Sequence, residues 1–244
     1  VKRSKLGSKN LMFTGSGLYG GNYSWYGFQS DDVFWHLQGG GNNLKSNAVY
    51  RDTGGWYHVV IANDSSQGTA ANRVKIYING EQITSFTTET YLSQNADFAI
   101  NTSGYRIFVG SGGASEANSF YPFDGYIAEY VFIDGTQYAA SDFGETVNGV
   151  WQPKDPSGLT FGNNGAYLKF ESSGDLGNDS SGNNNDFTVT GVATHDKMLD
   201  SPSFNSDSNG GNMCTWNPLD AKNMAVPTEG NLSVDFSGTN YNQI

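Results

Sequence analysis

Cysteine is nearly missing from this 244-residue chain. Cys214 stands alone, so no internal disulfide can form. A fold that does without bridges is expected to assemble in a reducing cytosol. Charge is sparse as well: charged side chains make up 15% of the residues, against about 25% in an average soluble domain. The balance is acidic, with 13 Lys and Arg to 24 Asp and Glu and a net charge of −11. So few cations argue against a nucleic-acid partner, because phosphate backbones are held by basic patches.

Long apolar runs are absent too. None approaches the ~20 residues of a membrane helix, so no membrane insertion is expected. Residues 1–9, VKRSKLGSK, carry charge without the apolar stretch of a signal peptide. There is no initiator Met, and both ends read as cuts within a longer polypeptide. Histidine occurs three times, at His36, His58 and His195. No spacing suggests a Ser-His-Asp or Cys-His arrangement.

What is abundant is glycine, 32 residues, and aromatics, 14%. With a surface drawn from Ser, Thr and Asn, this is an all-β, loop-rich composition. Residues 54–83 organise the rest. Val74, Ile76 and Ile78 alternate with Arg73, Lys75 and Tyr77, as a half-buried antiparallel strand requires. Asn79-Gly80 then supplies a tight hairpin turn. Residues 56–62 are apolar on both faces, which predicts a central strand covered from both sides, and the polar stretch 63–72 between the two is a surface loop.

These residues carry a resemblance. A WYHVV strand, a variable polar loop and a VKIYING strand look like the middle of a laminin-G-like module of the concanavalin-A-like superfamily. FDGYIAEYVFIDG at 123–135 is similar to that family's closing strand. The order VYRDTGGWYHVV, FIDG, SDFGE, GVWQPK, YLKF, DSP and NPLD resembles proteins frequent among bacteriophage virion components. The resemblance implies a two-layer antiparallel β-sandwich, a concanavalin-A-like jelly roll, with an extended C-terminal linker. It implies localisation to the virion after assembly in the host cytoplasm.

Along the chain, residues 1–7 resemble the tail of an early strand whose first part is missing, which would leave an open sheet edge. Hairpin strands are expected at 23–29 and 33–38 around Ser30-Asp31-Asp32, with 46–51 leading into the central hairpin, an exposed strand and turn over 86–95, and further strands at 11–14, 105–110 and 123–134. A helical turn is expected over 138–145, with Ser141-Asp142 as the cap. Residues 1–152 form the sandwich. Residues 149–164 read as a boundary segment. Strands at 166–171 and 187–190 either open a second module or return to the first. The return is favoured, because no second WYHVV or YING hairpin follows. Thus 153–190 would complete or abut the sandwich, 191–230 would be the linker, and 231–244, with NLSVDF, would begin a further truncated β domain.

Sugar recognition uses exposed aromatic rings beside hydrogen-bonding side chains. Tyr19, Tyr23, Trp25 and Tyr26 lie near Gly-rich loops, as do Phe120 and Tyr121, although alternate members of each cluster would be core. A calcium ion needs several oxygen ligands from one or two loops. Asp179, Asn183, Asn185 and Asp186 offer them, with Asp31, Asp32 or Asp64 as further donors, and the same residues make Asx turns without metal. Glycanases on this fold pair carboxylates about 5–9 Å apart. Glu129 has no such partner on its strand. His58 reads as a packed core residue donating to a backbone carbonyl, and Cys214 as a buried hydrophobe.

The functional expectation is a non-enzymatic structural and adhesion module on a phage tail fibre, spike or head appendage. Its partners would be a host-surface glycan or other virion proteins, and the resemblance suggests a homotrimer. No cofactor is expected beyond possible calcium. The alternatives are a capsid-decorating protein and a carbohydrate-active enzyme on the same scaffold.

Overall fold

The computed structural model describes residues 1–16, 22–39, 41–115, 118–198 and 201–202. Tyr19, Cys214, most of the expected linker and the expected truncated domain at 231–244 lie outside the described residues. The chain opens with β1 (Lys2–Arg3), β2 (Asn10–Ser16), β3 (Tyr23–Phe28), β4 (Val33–Gln38) and β5 (Asn42–Val49). It continues through β6 (Val59–Asn63), β7 (Val74–Ile78), β8 (Glu81–Gln82), β9 (Phe86–Thr90) and β10 (Arg106–Val109). Short strands follow: β11 (Gly112–Ser115), β12 (Asn118–Phe120), β13 (Gly125–Tyr126), β14 (Tyr130–Phe132), β15 (Gly144–Val147), β16 (Val150–Pro153) and β17 (Ala166–Leu168). The structure is nearly all β, and every ladder is antiparallel.

Two layers carry the core. The strand order β10-β2-β3-β4-β5-β9 makes a six-stranded sheet, and β6-β7-β8 a three-stranded one. Met12, Phe28, Phe34 and Leu44 from the first pack against Val74, Ile76 and Ile78 from the second, with Tyr57 and Ile83 at the margin. The alternation in β7 is the reason: its odd partners stay half-buried while Val74, Ile76 and Ile78 are buried. The Asn79-Gly80 turn forms as expected, with both residues at positive φ, 51° and 80°.

A buried ion cluster ties the start of the chain to this sandwich. Asp32 accepts from Arg3 Nη2 at 2.9 Å, from the Gly7 N–H at 2.9 Å and from Arg51 Nε at 3.2 Å. Arg3 also donates to the Tyr50 carbonyl and lies over the Phe28 ring, 4.4 Å from its centroid. Burial alone would raise the Asp32 carboxyl, but these donors bring it below the usual carboxylate range. The sheet edge near Val1 is partly filled: Lys2 and Arg3 pair with Tyr126 and Gly125, and Val1 exchanges two backbone hydrogen bonds with Tyr57, each 2.7 Å.

Several expectations need correction. Residues 56–62 are not a doubly covered central strand. β6 begins at Val59, lies at the edge of its sheet and, among the described residues, pairs with β7 alone. Its other edge borders a cleft of about 640 Å³, across which run residues 127–136. The expected strand at 123–134 breaks into β13 and β14, because Glu129 takes the left-handed conformation at φ 56°.

The expected boundary segment instead begins with β16, which closes a hairpin with β15 through Asn148-Gly149 at φ 53° and 82°. Residues 187–190 join no ladder, keeping one backbone bond from the Phe187 N–H to the Gly177 carbonyl at 2.8 Å. The helical turn is Ala140–Phe143. Its cap comes from Asp142, which accepts from the Ala139 N–H at 2.8 Å. β17 pairs with β14, Val131 opposite Tyr167.

Candidate functional site

The inner face of the six-stranded sheet is spent on the core, and on the outer face Leu11, Thr14 and Trp35 are buried while Tyr23, Trp25 and Tyr121 stay partly accessible. Parity assigns the side chains. In β3, Ser24, Tyr26 and Phe28 point inward and Tyr23 and Trp25 outward. In β4, Phe34 and His36 point inward and Trp35 and Leu37 outward. Pairing of Trp25 with Leu37 and of Gly27 with Trp35 then brings the outward aromatics of the two strands side by side.

The rings form one continuous group. Tyr23 stacks on Trp25 at 4.6 Å between centroids, and Trp25 meets Trp35 edge-on at 5.6 Å. Tyr121 closes the group at 6.1 Å from Trp25, itself 38% exposed and held at φ 51°. Trp35 is buried beneath and donates its indole N–H to Asn43 Oδ1 at 2.9 Å. Lys9 reaches over the same rings, its ammonium 4.9 Å from the Tyr121 centroid and 5.7 Å from that of Trp35. Half-exposed stacked rings beside amide and ammonium groups suit a flat, partly apolar, hydroxylated ligand.

Of the expected sugar-contacting residues, Tyr23, Trp25 and Tyr121 are brought together here. Tyr26 is not. It is fully buried, stacked on Phe13 at 4.5 Å and on His36 at 4.8 Å, and its hydroxyl accepts from Asn63 Nδ2 at 3.0 Å. Burial pushes that hydroxyl up to about 12, with the Asn63 bond acting the other way. Period-two alternation could have separated Tyr26 from Trp25. Trp35 was missed, although counting back from the 30–32 turn places it beside Gly27. Lys9 gave no sequence signal.

A laminin-G-type family model, described as the concanavalin A-like lectin/glucanases superfamily, matches residues 1–141. The chain belongs to this superfamily. No curated protein and no solved structure matches it. Membership supports a carbohydrate-binding or structural module.

A superfamily that includes glucanases directs attention to acids. Burial raises the Glu129 carboxyl above the usual range, opposed by a hydrogen bond from Tyr167 and reinforced by the charges of Asp155 and Glu171. Asp155 is held below it by the Ser157 N–H and hydroxyl. Glu129 therefore has electrostatic neighbours that its own strand did not reveal.

The loop considered for calcium is organised as a turn. Asp179 is buried and accepts from the N–H groups of Tyr167, Ser181 and Asn185, at 2.8, 2.9 and 2.9 Å, and from the Ser181 hydroxyl at 2.8 Å. Burial alone would raise its carboxyl, but these donors leave it below the usual range. Asn183 Nδ2 donates to the carbonyls of Gly162 and Gly165, Asn185 Nδ2 to those of Asn163 and Gly165, and Asp186 Oδ1 accepts from the Asp179 N–H. The Asp179 oxygens thus face the chain's own donors, as in an Asx turn. Among the described residues no group of three or more His, Cys, Asp or Glu side chains is placed to hold a metal ion.

His58 also differs from expectation. Its Nδ1 accepts from the Trp151 indole N–H at 3.1 Å instead of donating to a carbonyl. His36 is buried with neither ring nitrogen hydrogen-bonded.

Proposed function

We propose that this chain is a non-enzymatic carbohydrate-binding and display module of a bacteriophage particle, carried on a tail fibre, spike or head appendage. The observation that carries the binding half is the half-exposed ring group of Tyr23, Trp25 and Tyr121 on the outer sheet face. The order of sequence motifs from VYRDTGGWYHVV to NPLD supports the phage half. The partners are a host-surface glycan or neighbouring virion proteins, and the assembly is a homo-oligomer, with a trimer as the working state. The β14–β17 ladder supports reading residues 153–190 as completing the sandwich.

A glycan array tests the binding half. Trp25→Ala and Tyr121→Ala should lose most binding while keeping the thermal midpoint within a few degrees. A chain that binds no glycan fails this half. Immunogold labelling of intact particles tests the phage half, and absence of label from purified virions overturns it. Light scattering reads the oligomeric state.

A second reading, a carbohydrate-active enzyme, draws on the raised Glu129 carboxyl beside Asp155. Release of new reducing ends from a bound glycan, lost in Glu129→Gln, would favour it over the binding module.

A further inference from the structure

Lys9 is unusual among the cations near the outer face of the six-stranded sheet. Lys45, paired in register with Trp35, is neutralised by Asp31 at 2.6 Å. Lys9 is half-buried against the rings of Tyr121 and Trp35, and among the described residues it makes no ion pair and no hydrogen bond. In a chain of net charge −11, an unneutralised ammonium held over the rings of Tyr121 and Trp35 is a local exception. Cation–π contact orients the ammonium but leaves its donors open.

We propose that Lys9 makes this face selective for acidic saccharides, sugar rings carrying a carboxylate or sulfate, with the sugar packed against the aromatic group of Tyr23, Trp25 and Tyr121 and the acid taken by the Lys9 ammonium. This rests on the reading of the aromatic face as a glycan platform. The overall negative charge does not oppose it decisively, because charges beyond about 8 Å are largely screened at physiological salt. The contact is decided by the group within hydrogen-bond reach. A charge-assisted bond at a partly desolvated surface is about twice as strong as a neutral one. Neutral sugars would stack on the same rings without engaging Lys9.

An array bearing uronate-containing, sulfated and neutral saccharides, read with the full chain, tests this. Acidic saccharides should be retained above neutral ones of the same backbone. Lys9→Gln should weaken the acidic ligands by about tenfold, the scale of one charge-assisted bond, and leave any neutral binding unchanged. Lys9→Arg should restore acidic binding, which also shows that the site tolerates substitution. Added salt should weaken acidic ligands selectively. The uronate and sulfate arms tell which acid is preferred.

Equal retention of acidic and neutral saccharides, or acidic binding untouched in Lys9→Gln, overturns the role of Lys9 and leaves the platform standing. Retention of no saccharide at all overturns the platform, and the proposal with it.

Discussion

The Trp151 indole N–H donates to Nδ1 of His58 at 3.1 Å, binding the β15–β16 hairpin to the margin of the three-stranded sheet. That bond needs a neutral imidazole with its lone pair on Nδ1. Burial, with the Val1 ammonium adding to it, pulls the His58 pKa down to about 4. A histidine whose folded pKa lies below its unfolded value adds stability that is fully present above the unfolded value, near 6.5. The stability falls away as pH drops toward 4, because the unfolded chain then binds the extra proton. Thermal melts from pH 8 to pH 4 should show this loss, on the order of 2 kcal/mol from His58. His36, pulled down to about 3 by burial, acts in the same direction. The His58→Gln variant should therefore retain a shallower slope. An unchanged slope would mean that His58 titrates alike in the folded and unfolded chain.

Gly80 sits under the same indole. Its φ of 80° is in the left-handed region, and a Cβ there would lie 2.4–2.7 Å from three carbons of the Trp151 indole, closer than contact allows. Gly80→Ala should destabilise the chain by roughly 2 kcal/mol, combining backbone strain with the clash. In a Trp151→Ala background the same change should cost less, since only the strain remains. Urea denaturation of the four chains gives the coupling directly.

Asp32→Asn isolates charge from shape. Asp32 lies at φ 64°, a conformation Asn also tolerates, so the backbone should hold while the buried Arg3 loses its counter-ion. Removing one partner of a buried pair destabilises by about 3–5 kcal/mol, and the urea midpoint should fall accordingly. A loss under 1 kcal/mol would show that Arg3 rehydrates or finds another acceptor.

The Asp179 turn gives a paired expectation. Asp179→Ala strands the N–H groups of Tyr167, Ser181 and Asn185, and leaving buried donors unsatisfied costs about 1–3 kcal/mol each before relaxation. Millimolar calcium should leave the thermal midpoint of the unaltered chain where it was. A rise that disappears on chelation would restore the cation reading of the loop.

Local chemistry made much of the architecture readable. The alternation of Val74, Ile76 and Ile78 and the Asn79-Gly80 turn depend on neighbours within a few residues. So does the hairpin of β3 and β4 around residues 30–32. Parity along β3 was already enough to divide Trp25 from Tyr26. The break at Glu129 was not readable, because FDGYIAEYVF alternates well and carries no Gly, Asn or Pro at the residue that takes the left-handed conformation. The Asn148-Gly149 hairpin was readable by the same rule as Asn79-Gly80 and was overlooked among the surrounding prolines.

An all-β, bridge-free, acidic chain built on one strong hairpin follows from composition and period-two patterning alone, because both act through short-range geometry. Only the tertiary structure decided which aromatics meet on an open face, that Lys9 lies over them without a counter-charge, and that the Asp179 oxygens face the chain's own N–H groups. These are encounters between residues up to 112 positions apart, as with Lys9 and Tyr121, and strand register and burial, not local preference, set them.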